Sequence, residues 1–155
     1  MRVLVVIVSV FVVLVDQVAK FFVRSRFKNS GKLSLIDGLL DVVYIENRGA
    51  AFGIFSGARW FFVIFTVLVI FCFTIFVFKK PIKILTFYLS SSLIIGGGFS
   101  NLIDRIWLGY VIDYLELSFF SPVCNLADYC ITLGTVLFVA SLMVSRHKIY
   151  GRQGV

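Results

Sequence analysis

One histidine, two prolines and three cysteines in 155 residues remove several chemistries at once. His147 stands alone in a basic tail, so neither a histidine-rich metal site nor a serine–histidine triad has material to form. Cys72, Cys124 and Cys130 make no C-x-x-C pair, and Cys72 lies inside an apolar run, so no disulfide frame and no zinc cluster is expected. With so little proline and no serine- or glycine-rich stretch, no linker divides the chain, and no internal repeat is evident. A single domain over residues 1–155 is the expectation.

Apolar residues fill the place of what is scarce. They make up 60% of the chain, aromatics 17%, and the mean hydropathy is +1.02, far above the usage of soluble domains. A membrane protein is implied. The net charge of +7 arises from short basic clusters between apolar runs. That arrangement fits anionic lipid headgroups, so membrane lipids rather than nucleic acid are the expected partner.

Four stretches approach the ~20 apolar residues that a helix needs to cross hydrocarbon: 3–23, 60–78, 84–103 and 126–144. The first has the Arg2-then-apolar look of a secretory signal peptide. Asp16 and Lys20 stand where a small-residue cleavage site would be, however, and three further spans follow. Between spans one and two, residues 24–59 include "LSLIDGLLDVVYIENRGAAFGIF", whose β-branched residues and glycines oppose a helix. The predicted fold class is therefore a membrane all-α, four-transmembrane-helix bundle with a small β-rich platform between helices one and two.

Four crossings return both termini to one side. Every acid (Asp16, Asp37, Asp41, Glu46, Asp104, Asp113, Glu116, Asp128) then falls at or beyond the other ends, while Arg2, Lys79, Lys80, Lys83, Arg146, Lys148 and Arg152 share the terminal side. The compact turn at 79–83 and the basic tail favour cytoplasmic termini, whereas Arg24, Arg26 and Lys28 after span one weigh the other way. Charge alone leaves the orientation open.

Ionisable groups inside a span are rare and mark functional candidates. Asp16 and Lys20, four residues apart, share one helical face and can form a structural ion pair as readily as a catalytic part. In "SSSLIIGGGFSNLIDR" the pairs Ser92/Gly96 and Gly97/Asn101 give small surfaces for close helix approach. Asn101, Asp104 and Arg105 crowd its polar end, where Arg105 either snorkels outward or orients carboxylates and substrate. Asp113 and Asp128 read singly as a loop acid and a helix cap. Brought together by folding, two close carboxylates cannot both ionise, and a pair sharing one proton can activate water and polarise a carbonyl. That chemistry hydrolyses a peptide bond without metal, serine or histidine.

The motifs that carry these residues, "DQVAK" at 16–20, "ENRGAAFG" at 46–53, "GGGFSNLIDR" at 96–105 with "GYVIDY" at 109–114, and "CNLADY" at 124–129, resemble those of the lipoprotein signal peptidases, the type II signal peptidases of bacteria. The likeness spans essentially the whole chain. It implies an intramembrane aspartyl protease that removes the signal peptide of a diacylglyceryl-modified prolipoprotein before the lipidated cysteine. Asp113 and Asp128 would be its dyad, and Asn47, Gly49, Asn101, Asp104, Arg105, Asn125 and Ala127 would support the site and its substrate. Asp16 and Lys20 match the family's first-span motif. The resemblance further implies no cofactor and no metal, the bacterial cytoplasmic membrane, cytoplasmic termini, and an active site and platform on the extracytoplasmic side. Here Gly98, Phe99 and Ser100 occupy the middle of a block that usually reads GGALGN, Cys124 replaces an aromatic, and the 114–124 segment, the flap over the site, is short.

Two other functions use the same residues. A proton-coupled transporter would relay protons through Asp16, Asp104 and Asp128, although acids clustered at one end without a repeat fit that poorly. A structural scaffold would tolerate apolar replacement of the buried polar groups.

Overall fold

The computed structural model describes residues 1–29, 31–49, 57–79, 82 and 84–150, the last five by backbone alone. Among these residues four helices form: α1 (Arg2–Phe27), α2 (Arg59–Lys79), α3 (Leu85–Trp107) and α4 (Leu126–Tyr150). α1, α2 and α4 each carry a stretch long and apolar enough to cross a membrane. α3 has 23 residues but is diluted by serine and glycine, because it is the helix the others surround.

Three consecutive glycines explain how α3 holds the centre. Successive helical positions point about 100° apart, so Gly96, Gly97 and Gly98 face three different neighbours. A Cβ on Gly96 would lie 2.8 Å from the Ser9 carbonyl oxygen of α1, and one on Gly97 would lie 2.5 Å from the Ala127 carbonyl oxygen of α4. On Gly98 it would meet only the Ile70 side chain of α2, at 3.0 Å. The Ser90, Ser91 and Ser92 hydroxyls return their protons to carbonyls one turn back, which lets polar residues lie buried without cost in unpaired groups. An apolar cluster of Val5, Val63, Ile70, Val77, Phe87 and Ile95 fills the remaining space.

Outward faces are almost wholly apolar, while the interior holds charged and polar groups beside its apolar cluster, which a water-soluble bundle would avoid. Phe21 is 75% and Phe11 65% exposed, whereas Asp16 and Asn125 are fully buried. Hydrocarbon is the solvent that makes this distribution favourable.

A four-stranded antiparallel sheet in the order β1-β2-β3-β4 sits at one end: β1 (Leu33–Ile36), β2 (Leu40–Asn47), β3 (Val111–Leu117) and β4 (Phe120–Cys124). Its first two strands link α1 to α2 and its last two link α3 to α4. Pairing of β2 with β3, Ile45 opposite Asp113 and Asn47 opposite Val111, therefore gathers one end of every helix. Tyr110, Ile112, Tyr114 and Val42 seat the sheet against Val23 of α1.

The platform thus differs from the sequence expectation. Half of it comes from between α3 and α4, and the 114–124 segment is a hairpin of the sheet. β3 is buried on both faces in its first half, so it lacks the alternation that announces a strand. Residues 24–27, expected in the insert, continue α1, where Arg24 and Arg26 face the carbonyl dipole of its last turn. α3 likewise runs past residue 103 to Trp107. Of the motif at 46–53, residues 50–53 lie outside the described residues, as do Lys80, Lys83 and Arg152.

Candidate active site

α4 begins at a reciprocal cap. The Asp128 N–H donates to Asn125 Oδ1 at 2.9 Å, and the Asn125 N–H donates to Asp128 Oδ2 at 3.2 Å. The same asparagine reaches the other acid, its Nδ2 donating to Asp113 Oδ1 at 2.6 Å. One residue therefore grips both carboxylates, and the strand β3 and the start of α4 cannot separate without breaking it.

Each acid has a second amide donor. Asn47 Nδ2 donates to Asp113 Oδ2 at 2.8 Å, and Asn101 Nδ2 donates to Asp128 Oδ1 at 2.8 Å. Neither asparagine can flip freely. Asn47 Oδ1 accepts from the Gly49 N–H at 3.1 Å, and Asn101 Oδ1 accepts from Lys20 Nζ at 2.9 Å and from Asn125 Nδ2 at 3.2 Å. The amide ends are thus committed to the carboxylates. Burial first, and the neighbouring Asp128 second, push the Asp113 carboxyl up to about 6, against the opposing pull of its two asparagine donors. It holds a proton to a pH at which an ordinary aspartate has lost it.

Behind this pair lies a closed ionic core. Lys20 Nζ is 2.7 Å from Asp16 Oδ2 and 3.0 Å from Asp104 Oδ2, with all three side chains at most 2% exposed. Asp16 also accepts from Ser100 Oγ, Tyr114 OH and the Ala127 N–H, which joins α1 to α3, β3 and α4. Asp104 accepts from Gln17 Nε2 at 2.8 Å and from the Ile112 N–H at 3.1 Å. Ala127 is fully buried, its backbone carbonyl close against Gly97 of α3. Among the described residues no buried side-chain polar atom lacks a partner. That satisfies the condition under which buried charges persist.

Arg105 stands over the Phe62 ring at 5.2 Å and directs its charge toward Asp128, Asp113 and Asp104, yet among the described residues its one side-chain hydrogen bond is a long 3.4 Å contact to the Asn101 carbonyl. Several of its donors remain unspent beside the acids. Arg59 caps α3 through the Arg105 and Ile106 carbonyls. Gly109, at φ +84°, then turns the chain from α3 into β3.

All eleven residues singled out in the sequence fall within this cluster. Gln17, Ser100 and Tyr114 belong to it and were not singled out. Gln17 was detectable as a polar residue in an apolar run; Ser100 and Tyr114 resemble ordinary helix and strand residues, and only packing reveals their bonds to Asp16. Among the described residues, no three His, Cys, Asp or Glu side chains group as a metal site.

Comparison with known proteins agrees with this architecture. The model of the signal peptidase (SPase) II family matches residues 8–144. A lipoprotein signal peptidase of Halothermothrix orenii is 42% identical over 137 residues, 88% of this chain and 92% of the relative. One of Staphylococcus aureus is 33% identical over 141 residues, 89% and 86% of the two chains. A solved structure described as a bacterial membrane enzyme superposes with a TM-score of 0.86 at 30% identity, covering 93% of this chain and 90% of its own. A second gives 0.81 at 32% identity, covering 89% and 91%. The multi-pass membrane fold and these matches lead to one assignment: the chain belongs to the signal peptidase II family.

Proposed function

We propose that Asp113 and Asp128 are the catalytic dyad with which this enzyme removes the signal peptide from a diacylglyceryl-modified prolipoprotein, cutting before the lipidated cysteine. The observation that carries the reading is the double grip of Asn125, which bonds one carboxylate through its side chain and the other through its backbone. Two acids so held share a proton. The ionised member takes a proton from water as the water oxygen attacks the scissile carbonyl carbon, and the protonated member gives its proton to the carbonyl oxygen. Collapse of the tetrahedral intermediate breaks the C–N bond and returns a proton to the leaving amine. Asn47, Asn101 and Asn125 fix the carboxylates, Gly49 fixes Asn47, and Arg105 offers its free donors to the substrate backbone. Asp16, Lys20, Asp104 and Ala127 hold the helices that carry them.

The whole chain acts as one membrane-embedded domain in this reading. At 23 residues, α3 is about 35 Å long and spans hydrocarbon as the fourth crossing. The termini lie in the cytoplasm of a bacterium, and the sheet lies on the outer face of the cytoplasmic membrane, where it receives the precursor.

Asp113→Asn and Asp128→Asn are the test. Each should lower cleavage of a diacylglyceryl-modified precursor peptide by at least ~10²-fold while the protein stays folded in detergent. Retained cleavage in both single variants refutes the dyad, and equal cleavage of the unlipidated peptide refutes the substrate class.

A further inference from the structure

Between α1 and α3 there is a groove that the proposed reaction does not use. Gln17, Lys20, Phe21 and Arg24 recur at helical spacing along α1, and Ile103, Asp104, Trp107 and Leu108 do so along α3, so that two stripes face each other across a cavity of about 130 Å³ closed by Ile112. Its floor is the Lys20–Asp104 pair, whose charges are satisfied by each other and by Asp16, Gln17 and the Ile112 N–H. The floor therefore has no cation to offer a ligand. Its rim does: Arg24 is exposed and has no hydrogen bond, ion pair or ring contact among the described residues. Phe21 and Trp107 flank it, each 75% exposed.

We propose that this groove seats one anionic phospholipid of the surrounding leaflet, its phosphate on Arg24 and its acyl chain between Phe21 and Trp107. Three observations converge on that occupant. An unpaired guanidinium one turn from the end of a spanning helix sits at headgroup depth, where its five donors match a phosphodiester. A tryptophan at the last residue of α3 marks the same interfacial level. Below the rim, both helices present side chains such as Val18, Leu14 and Phe99 that only hydrocarbon would cover. A peptide partner is disfavoured, since the seam exposes no strand edge and its backbone groups are spent within helices.

The expected preference for an anionic over a zwitterionic lipid is about fivefold, the equivalent of about 1 kcal/mol for one arginine at a charged surface. The chain contains two tryptophans, so Trp60→Phe leaves Trp107 as a reporter. In vesicles carrying a minor fraction of brominated phosphatidylglycerol, Trp107 fluorescence should be quenched about fivefold more effectively than by brominated phosphatidylcholine. Arg24→Gln should abolish the difference, while Arg26→Gln, whose guanidinium lies over the Phe22 ring, should preserve it. Thermal unfolding and precursor cleavage in detergent should be unchanged in Arg24→Gln, which separates loss of the lipid from loss of the fold. Equal quenching by both lipids overturns the proposal, as does a preference that survives Arg24→Gln. Inorganic phosphate at millimolar concentration should leave the quenching intact; if it removes the preference, the site binds free phosphate and the lipid assignment fails. Should Arg24→Gln not fold, the unmutated reporter still decides through its response to the two brominated lipids.

Discussion

Adding one methyl group at Gly97 tests whether the close approach of α3 and α4 sets the geometry of the acids. A Cβ there would stand 2.5 Å from the Ala127 carbonyl oxygen, 2.8 Å from Ile131 Cγ1 and 3.3 Å from the Ala127 carbonyl carbon. Ordinary contact begins near 3.4 Å, so α4 must retreat by about 0.9 Å, the difference between 3.4 and 2.5 Å, at the residue directly before Asp128. Backbone cannot rotate out of the way as a side-chain tip can. Overpacking of this kind costs about 1–3 kcal/mol, and a displacement of ~1 Å at a reacting group lowers rate by ~10²-fold. Gly97→Ala should therefore reduce kcat for a lipidated precursor peptide by one to two orders of magnitude, with a lower unfolding temperature in detergent. Gly98→Ala is the matched control, because its new methyl meets only the Ile70 side chain, Cδ1 at 3.0 Å and Cγ1 at 3.2 Å. It should keep kcat within about threefold, since a flexible side-chain end yields without moving either acid. A Gly97→Ala enzyme with wild-type kcat, or a Gly98→Ala enzyme equally impaired, would refute the claim that this contact positions the dyad.

The remaining predictions concern charge. Lys20→Met leaves Asp16 and Asp104 buried without their cation, and should destabilise the fold by about 3–5 kcal/mol, measured by thermal unfolding in detergent; a loss under 1 kcal/mol would remove the ionic core from the account. Because the proposed dyad needs one proton and Asp113 holds its own up to about 6, kcat/KM should fall on the alkaline side with a midpoint near that pH. A flat profile from pH 5 to 8 contradicts this. Asn47→Ala removes a donor that favours the ionised form, so the same limb should move to higher pH, and movement to lower pH would reverse the assigned sign. For stability the sign is opposite to that of a salt-bridged acid: the folded chain keeps the Asp113 proton while the unfolded chain releases it near 3.8, so this group's contribution shrinks as pH rises from about 4 to about 6. Lys32→Ala breaks only the exposed Lys32–Asp41 pair on the sheet and should leave cleavage within about twofold, since solvent screens such pairs.

Much of this was legible in linear form because membranes tax polar residues so heavily. Asp16, Lys20, Asn101 and Asp104 are conspicuous in apolar stretches, and their presence there already argues for internal partners. The apolar stretches of α1, α2 and α4 were visible for the same reason. The origin of the sheet was less visible. β3 is buried on both faces over Val111–Tyr114, which erases the period-two signal, and its pairing with β2 joins residues some seventy positions apart. Ser100 and Tyr114 were silent because their hydroxyls acquire meaning only from Asp16 across the helix interface.

The sequence by itself determined that the chain lives in hydrocarbon, that its acids collect at one end, and which motifs it shares with a peptidase family. Composition and spacing are local properties, and the free energy of moving a residue between water and lipid depends on little else. Only the tertiary structure decided that Asn125 holds both Asp113 and Asp128, that Lys20 and Gly49 fix the amides facing them, and that three glycines aim three helices at one point. Hydrogen-bond direction and sub-ångström clearance belong to pairs of distant residues, and they take definite values only when the bundle and the sheet have closed on each other.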